Sequence, residues 1–159
     1  MLSQNPFKII QLSYVFKDIK HQAQLLELLF DMPKFTFYEY VNAPIIYRDK
    51  KTRISLKCGR SKWFNSYSIE LIQLVEGKYN LFYDFLSQGR EGLHHIDVLV
   101  QNYEEYLDFF KQKGISVLQK GKSIQRWAFL DTEKSLGIIV ELVEGAPPKR
   151  ERKAKSLKK

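Results

Sequence analysis

Four residues suited to metal binding or acid–base chemistry interrupt otherwise apolar stretches of the chain. Gln11 begins QLSYVF, Glu70 lies in IELIQLVEG, His95 begins HIDVLV and Glu141 lies in VELVEG. A carboxylate within an apolar strand is costly unless it is paired or bound to a cation. One imidazole nitrogen, one amide oxygen and two carboxylates form a ligand set for a divalent ion. Such an oxygen-rich set favours octahedral Ni²⁺, Co²⁺, Mn²⁺ or Mg²⁺, or an expanded Zn²⁺ site, over a closed structural zinc.

An internal repeat relates these residues in pairs. The segments QLSYVFKDIKHQAQLLELLF and HIDVLVQNYEEYLDFFKQKG both begin with a polar residue, continue with an apolar stretch and then become helical in pattern. Asp18 and Asn102 stand at the two transitions, and both residue types are favoured helix N-caps. Each segment therefore predicts a strand, a cap and a helix, and the alignment pairs Gln11 with His95.

Three further strands follow each predicted helix. They are FTFYEYV, RISLKCG and YSIELIQLVEG in the first half, and ISVLQK, RWAFLD and IIVELVE in the second. Matching the last strand of each half pairs Glu70 with Glu141. The chain is thus predicted to be α+β, with two βαβββ modules forming a metal-binding cup. The expected boundaries are modules at about 7–77 and 91–145, a linker helix at about 78–90, and a single domain over 1–147.

Strand alternation predicts which residues face the cup. Neighbouring side chains on a strand point to opposite faces, so at most one of His94 and His95 can line the site. The apolar residues of Ile96–Val100 should cover the helix, which leaves His95 and Asp97 facing the cup and His94 on the helix side or in the turn. By the same argument Gln11 faces the cup. Asp97 is either a partner of a ligand, an added negative charge or a solvent-facing residue.

Aromatic residues on two predicted strands are candidates for the walls of a substrate pocket, although aromatic strand residues also form ordinary core. The candidates are Phe35, Phe37, Tyr38, Tyr40, Trp127 and Phe129. Between the strands, APIIYRDKKT is expected to be a solvated loop and TEKSLG a turn. Cys58 has no partner for a disulfide or a CxxC motif and is expected to be a buried strand residue.

The net charge of +8 is concentrated at the end of the sequence. The last twelve residues hold seven of the 26 Lys and Arg and one acid, Glu151, and so contribute +6. Residues 148–159 are predicted to be a basic disordered tail, which is solvated or has a weak affinity for nucleic acid or other polyanions. The sequence has no apolar run of membrane-spanning length and no signal peptide, so a cytoplasmic location is expected.

Two stretches carry a resemblance to a known family. GREGLHHIDVLV and FLDTEKSLGIIVELVE resemble the second module of the methylmalonyl-CoA epimerase-like branch of the vicinal oxygen chelate superfamily, which also includes glyoxalase I, extradiol dioxygenases and bleomycin-resistance proteins. The order Gln11, Glu70, His95, Glu141 is similar to the metal set of zinc-type glyoxalase I. The resemblance covers roughly residues 7–145 and implies paired modules around a metal cup, in a chain that commonly forms a homodimer.

The resemblance implies a metal-dependent reaction in which a carboxylate removes a proton α to a carbonyl. It places the base among the paired glutamates, with Glu141 as the first candidate and Glu70 as the second. The substrate class would be an acyl-CoA for an epimerase, or a glutathione hemithioacetal for a lactoylglutathione lyase. A metal-free protein that binds or sequesters a small molecule, of the bleomycin-resistance type, is the alternative, because the same fold serves both functions.

Removal of residues 149–159 tests the predicted tail. The segment is rich in Lys and has no aromatic residue, so it buries too little apolar area to offset its ordering. We expect the truncated protein to keep its melting temperature and its metal binding, and to lose any salt-sensitive retention on a polyanion column. Unfolding or loss of metal on truncation would show that the tail docks on the domain.

Overall fold

The computed structural model of the protein describes residues 8–145 and contains eight strands and four helices in that range. In chain order these are β1 (Lys8–Val15), α1 (Ile19–Phe30), β2 (Thr36–Tyr47), β3 (Lys50–Arg60), β4 (Ser68–Glu76), α2 (Leu81–Ser87), β5 (Gly92–Val100), α3 (Tyr103–Gln112), β6 (Val117–Lys122), β7 (Arg126–Leu130), α4 (Glu133–Leu136) and β8 (Ile139–Glu144). The predicted α+β class with two βαβββ modules is confirmed.

The eight strands close into one barrel in the order β1-β4-β3-β2-β6-β7-β8-β5. Within each module the first and last strands are parallel, β1 with β4 and β5 with β8. The modules join at two antiparallel seams, β1 with β5 and β2 with β6. Each seam pairs equivalent strands of the two modules, which is the arrangement expected for a pseudo-twofold repeat.

Helices α1 and α3 cover the outside of the barrel, and each begins at the residue that the sequence predicts. Asp18 caps α1 by accepting a hydrogen bond from the backbone N–H of His21 at 3.0 Å. Asn102 stands at the start of α3 as predicted but makes no side-chain capping hydrogen bond to the helix backbone; its side-chain nitrogen donates to Glu105 at 2.9 Å instead. Gly114 follows α3 with φ +76°, a backbone conformation that glycine adopts without steric cost.

Alternation along the strands separates three apolar clusters. Tyr14 and Phe16 pack with the residues beneath α1, and Val98 and Val100 pack beneath α3. The third cluster includes Val15, on the opposite face of β1, and the buried residues of the linker helix α2. Because the apolar face of β1 and β5 is used for the helices, Gln11 and His95 face the barrel interior.

Two predicted connections are regular structure instead. The segment expected to be a loop, APIIYRDKKT, is the end of β2 and the start of β3, joined by Arg48 and Asp49 at φ 45° and 63°. This two-residue turn matches the twist of a hairpin, and the burial of Ile45 and Tyr47 holds the strand. The expected turn TEKSLG contains the short helix α4, which ends at Gly137 in the left-handed region.

Within residues 8–145 no helix combines the length and the apolar character needed to cross a membrane. The predicted basic tail lies outside the described residues.

Gly121 provides a test of the β2–β6 seam. It pairs with Ile45 across the seam, and a Cβ atom there would lie 2.3 Å from the ring of Trp127. We expect Gly121→Ala to lower the free energy of unfolding by about 1 to 3 kcal/mol, because the ring must shift within a packed wall. Chemical denaturation measures this change, and Lys122→Ala, on the same strand but exposed, is the control. Equal stability of the two variants would contradict the packing described here.

Candidate functional site

A cavity of about 500 Å³ lies inside the barrel and is lined by both modules. Its polar lining includes Gln11, Glu70, His95, Asp97 and Glu141. The strand register places these residues next to one another, because Asp97 is opposite Gln11 on one side and Glu141 on the other. The structure therefore brings the four sequence-predicted ligand positions to one cavity and adds Asp97.

His95 is the most deeply placed member of the cluster. Its side chain is fully buried, and Nε2 lies 3.1 Å from Glu141 Oε2 and 3.3 Å from Asp97 Oδ1. Nε2 has no hydrogen-bond partner that meets geometric criteria. Burial lowers the pKa of His95 to about 4. The imidazole is therefore neutral at physiological pH, and Nε2 is placed to act as a ligand of a cation.

Asp97 and Glu141 form a coupled carboxyl pair. Burial raises the pKa of both groups well above ordinary values, and the charge of Glu70 adds to the rise. Because the two groups interact strongly, they titrate as a pair that shares a proton. Ser13 donates to Asp97 Oδ1 at 2.9 Å.

Glu70 has a more polar environment than Glu141. The Tyr38 hydroxyl donates a short hydrogen bond to Glu70 Oε1, and Arg60 Nη2 lies 3.4 Å from the same oxygen. Arg60 also donates to the Tyr38 hydroxyl at 3.1 Å. Burial and then the charge of Glu70 raise the pKa of Tyr38, so the phenol stays protonated as a donor.

Gln11 lies at the edge of the cluster. Its side-chain amide lies between Asp97 Oδ2, at 2.8 Å, and Arg60 Nε, at 3.1 Å. The hydrogen bonds are satisfied when the amide nitrogen donates to Asp97 and the oxygen accepts from Arg60. In this orientation the amide oxygen of Gln11, which was predicted to bind the metal, accepts from Arg60 instead. The amide therefore links Arg60 to Asp97.

The donor atoms suit a divalent ion. Glu70, His95 and Asp97 each offer a ligand atom, and the three atoms lie within 4.8 Å of one another. Glu141 adjoins them through its contact with His95. Sequence reasoning placed Asp97 on the cup face without assigning it as a ligand. The sequence feature that could have identified Asp97 as a ligand is its position two residues after His95, on the same face of β5.

Three of the six aromatic residues predicted to form the pocket walls line the cavity. Tyr40, Trp127 and Phe129 line the cavity, and the Phe129 ring meets the His95 ring edge-on at 4.7 Å. Tyr38 donates its hydroxyl hydrogen to Glu70. The structure places the remaining two away from the cavity lining, Phe35 in the cluster beneath α1 and Phe37 partly exposed beside Gly59. Side chains alternate along β2, so Phe37 points outward because Tyr38 and Tyr40 occupy the inward face.

His94 and Cys58 are both buried. The His94 ring packs against Phe85 at 4.9 Å and Phe82 at 5.4 Å, both in the linker helix α2. Its Nδ1 lies 2.8 Å from Nδ1 of His95. Burial raises the pKa of the Cys58 thiol, which keeps it protonated on β3. The rings of His94 and His95 contact each other, and both also lie beside Phe82 and Phe129.

Comparison with solved structures identifies proteins of the same fold. Methylmalonyl-CoA epimerase from Mycobacterium tuberculosis has a TM-score of 0.63 and 15% identity over 92% of this chain and 94% of its own. A hypothetical protein from Bacillus halodurans has a TM-score of 0.62 and 18% identity over 89% and 96%. A variant of Streptomyces coelicolor methylmalonyl-CoA epimerase in complex with 2-nitronate-propionyl-CoA has a TM-score of 0.63 and 16% identity over 89% and 96%.

These likenesses confirm the predicted fold, in which two βαβββ modules form one cup. Profiles of known protein families give no match to the chain, and neither do curated protein sequences. At such low identity the similarity establishes the fold, and the function has to be argued from the cavity.

Glu141→Gln should have opposite effects on the metal-free and metal-bound protein. In the metal-free protein at pH 8 we expect a gain of at least about 1 kcal/mol in the free energy of unfolding, because burial raises the pKa of Glu141 and the fold must therefore oppose an ionisation that the unfolded chain makes freely, a cost that the neutral amide does not carry. In excess Zn²⁺ the wild type should be stabilised and the variant much less so. Thermal melts with chelator and with Zn²⁺ measure both effects. Glu39→Gln, an exposed change on β2, is the control; a less stable metal-free Glu141→Gln variant would contradict the prediction.

Proposed function

We propose that this protein binds one divalent ion at Glu70, His95, Asp97 and Glu141 and removes a proton α to the thioester carbonyl of an acyl-CoA. The observation that carries the proposal is the buried, unpartnered Nε2 of His95, which faces two carboxyl groups at 3.1 and 3.3 Å on the cavity wall. Buried polar atoms are rarely left without a partner, so such an atom surrounded by carboxylates indicates a cation site.

The balance of charge supports a divalent ion. Three carboxyl groups line the cavity, and one proton is shared between Asp97 and Glu141. Arg60 supplies one positive charge on the Glu70 side. About one negative charge therefore remains in a buried site even when the proton is counted, and more when that proton is displaced. A bound divalent ion would offset this charge, as is usual for buried carboxylate clusters.

Glu141 is proposed as the base that accepts the α-proton. Its Oε2 lies beside His95 on the cavity wall, whereas both oxygens of Asp97 accept hydrogen bonds, from Ser13 and from Gln11. A bound divalent ion would supply Lewis-acid stabilisation of the negative charge that develops on the substrate oxygen. Tyr38 holds Glu70 in place, and the rings of Trp127 and Phe129 exclude water from the reacting carbon.

The fate of the proton distinguishes two reactions of this class. Return to the opposite face of the same carbon gives an epimerase, and transfer to the adjacent carbon gives a glyoxalase-type isomerisation. Epimerase chemistry is favoured because the fold neighbours include methylmalonyl-CoA epimerases in complex with methylmalonyl-CoA and with 2-nitronate-propionyl-CoA. A lactoylglutathione lyase-type reaction on a glutathione hemithioacetal is the alternative within the enzyme class.

Homodimer formation and a cytoplasmic location stay predictions.

A metal-free binding protein is the second candidate function. The observation that favours it is Arg60, whose guanidinium contacts Glu70 and Gln11 and so acts as an internal cation in the cavity. In this alternative the cavity would hold a small molecule without changing it. The residual negative charge around His95 argues for the enzyme.

The metal content of protein purified without a His tag tests the proposal first. We expect about one divalent ion per chain in the wild type and in Glu76→Gln, an exposed change on β4. His95→Ala should lose most of the metal, because its nitrogen is the only imidazole ligand of the set. Elemental analysis after dialysis provides the measurement. A wild type without metal, even after incubation with Zn²⁺, Ni²⁺, Co²⁺, Mn²⁺ or Mg²⁺, would favour the binding protein.

Solvent deuterium exchange tests the chemistry separately. Acyl-CoA esters and 2-oxoaldehyde hemithioacetals are incubated with the metal-loaded protein in D₂O and analysed by mass spectrometry. Deuterium should appear at the α-carbon with the wild type and with Glu76→Gln, and at a rate at least about 100-fold lower with Glu141→Gln. Exchange that persists unchanged in Glu141→Gln would exclude Glu141 as the base.

A further inference from the structure

A second depression, of about 790 Å³, lies outside the barrel over the β2–β6 seam and beside α3. Most of its lining side chains alternate away from the barrel interior, because Ile45 and Tyr47 occupy the buried face of β2. Its floor is apolar and includes Pro44, Ile46 and Leu107. We call this depression the outer groove. Its volume is within the range of about 300 to 1,000 Å³ that is usual for small-molecule sites.

The strand register concentrates positive charge in the outer groove. Lys51 and Lys120 lie on either side of Ile46, as its partners on β3 and β6. Arg53 and Lys122 lie two residues further along the same two strands, and so on the same face of the sheet. Directly opposite residues of an antiparallel pair share a face, so the four cationic side chains line the groove together.

None of these four cations is in an ion pair within residues 8–145. Arg53 donates only to the amide oxygen of Asn42, at 2.7 Å. The glutamates beside the groove, Glu104 and Glu144, both bind Arg126. The excess of positive charge is local, because the net charge of +8 leaves +2 for residues 1–147 once the +6 of the last twelve residues is removed. The outer groove therefore attracts anions.

The outer groove adjoins the barrel cavity. Pro44, Ile45 and Lys122 line both of them. Lys122 stands at the rim, because it is exposed and is followed by the exposed residues 123–125, which line the cavity. A long ligand with one end in the cavity therefore has room to place its other end in the groove.

We propose that the four cations of the outer groove bind the phosphate groups of a nucleotide. Cations around an apolar floor suit this ligand, because the phosphates take charge-assisted hydrogen bonds while the flat base covers the floor. In an acyl-CoA the phosphates and the thioester belong to one molecule, so the groove would hold its nucleotide end while the cavity holds its acyl end. The assignment to CoA rests on the proposed function, whereas nucleotide binding does not.

Calorimetric titration with adenosine 3′,5′-bisphosphate tests the groove without any catalysis. We expect Lys51→Gln and Lys120→Gln each to weaken binding by about 10-fold, because each change removes one charge-assisted contact. Lys57→Gln, an exposed change on β3 outside the groove, is the control and should equal the wild type. Thermal melts verify that the variants are folded. Absence of binding to the wild type, or an equal loss in all three variants, would overturn the proposal.

Comparison of CoA with its fragments tests whether the groove and the cavity hold one molecule. CoA should bind at least about 10-fold more tightly than adenosine 3′,5′-bisphosphate or pantetheine, because linked groups bind at a high effective concentration. Lys51→Gln should weaken the binding of CoA and leave that of pantetheine unchanged. Equal affinities for CoA and the bisphosphate would show that the nucleotide site is separate from the cavity, and would overturn the assignment to CoA.

The deuterium-exchange assay separates this inference from the proposed function. Lys51→Gln should lower kcat/KM for an acyl-CoA by about 10-fold through a higher KM, because the contact lies far from the reacting carbon. If CoA binds as expected but no exchange occurs, the proposed function fails and the nucleotide site is supported. If exchange occurs with a wild-type KM in both Lys51→Gln and Lys120→Gln, the proposed function is supported and the assignment to CoA fails.

Discussion

The burial of three carboxyl groups beside one neutral imidazole is the constraint on which the rest of the structure depends. An isolated buried carboxylate is strongly unfavourable, so each of these groups requires a partner. Asp97 accepts from Ser13 and contacts Gln11 and Glu141, whereas Glu70 accepts from Tyr38 and lies near Arg60. Nε2 of His95 is left without a hydrogen bond. A bound cation is the simplest partner that completes this arrangement.

The closed barrel brings these partners together because its two modules join through equivalent strands. Gln11 is opposite Asp97 across the β1–β5 seam, and Asp97 is opposite Glu141 in the parallel pair β5–β8. Residues that are far apart in the sequence are thus adjacent across a ladder of backbone hydrogen bonds. Such a ladder holds side chains in a narrow range of positions, which suits a site that must fit an ion.

The two modules are equivalent in backbone but differ in chemistry at the paired glutamates. Glu70 on β4 is opposite Arg60 on β3, whereas Glu141 on β8 is opposite Phe129 on β7. One carboxylate therefore has a cation beside it, and the other lies against an aromatic ring, where burial raises its pKa. Different environments for paired carboxyl groups are a common route to separate roles in binding and proton transfer.

Local sequence was sufficient to predict the order of the strands, the helices α1, α2 and α3, and the faces of β1 and β5, because alternation and helical periodicity depend on neighbouring residues. It also paired Gln11 with His95 and Glu70 with Glu141 through the repeat. Only the tertiary structure decided that Gln11 turns toward Arg60, that Asp97 joins His95 and that His94 contacts His95. The same holds for the end of β2, where APIIY extends a strand because β6 pairs with it. These features depend on side-chain reach and register between distant strands, which the order of residues along one strand does not specify.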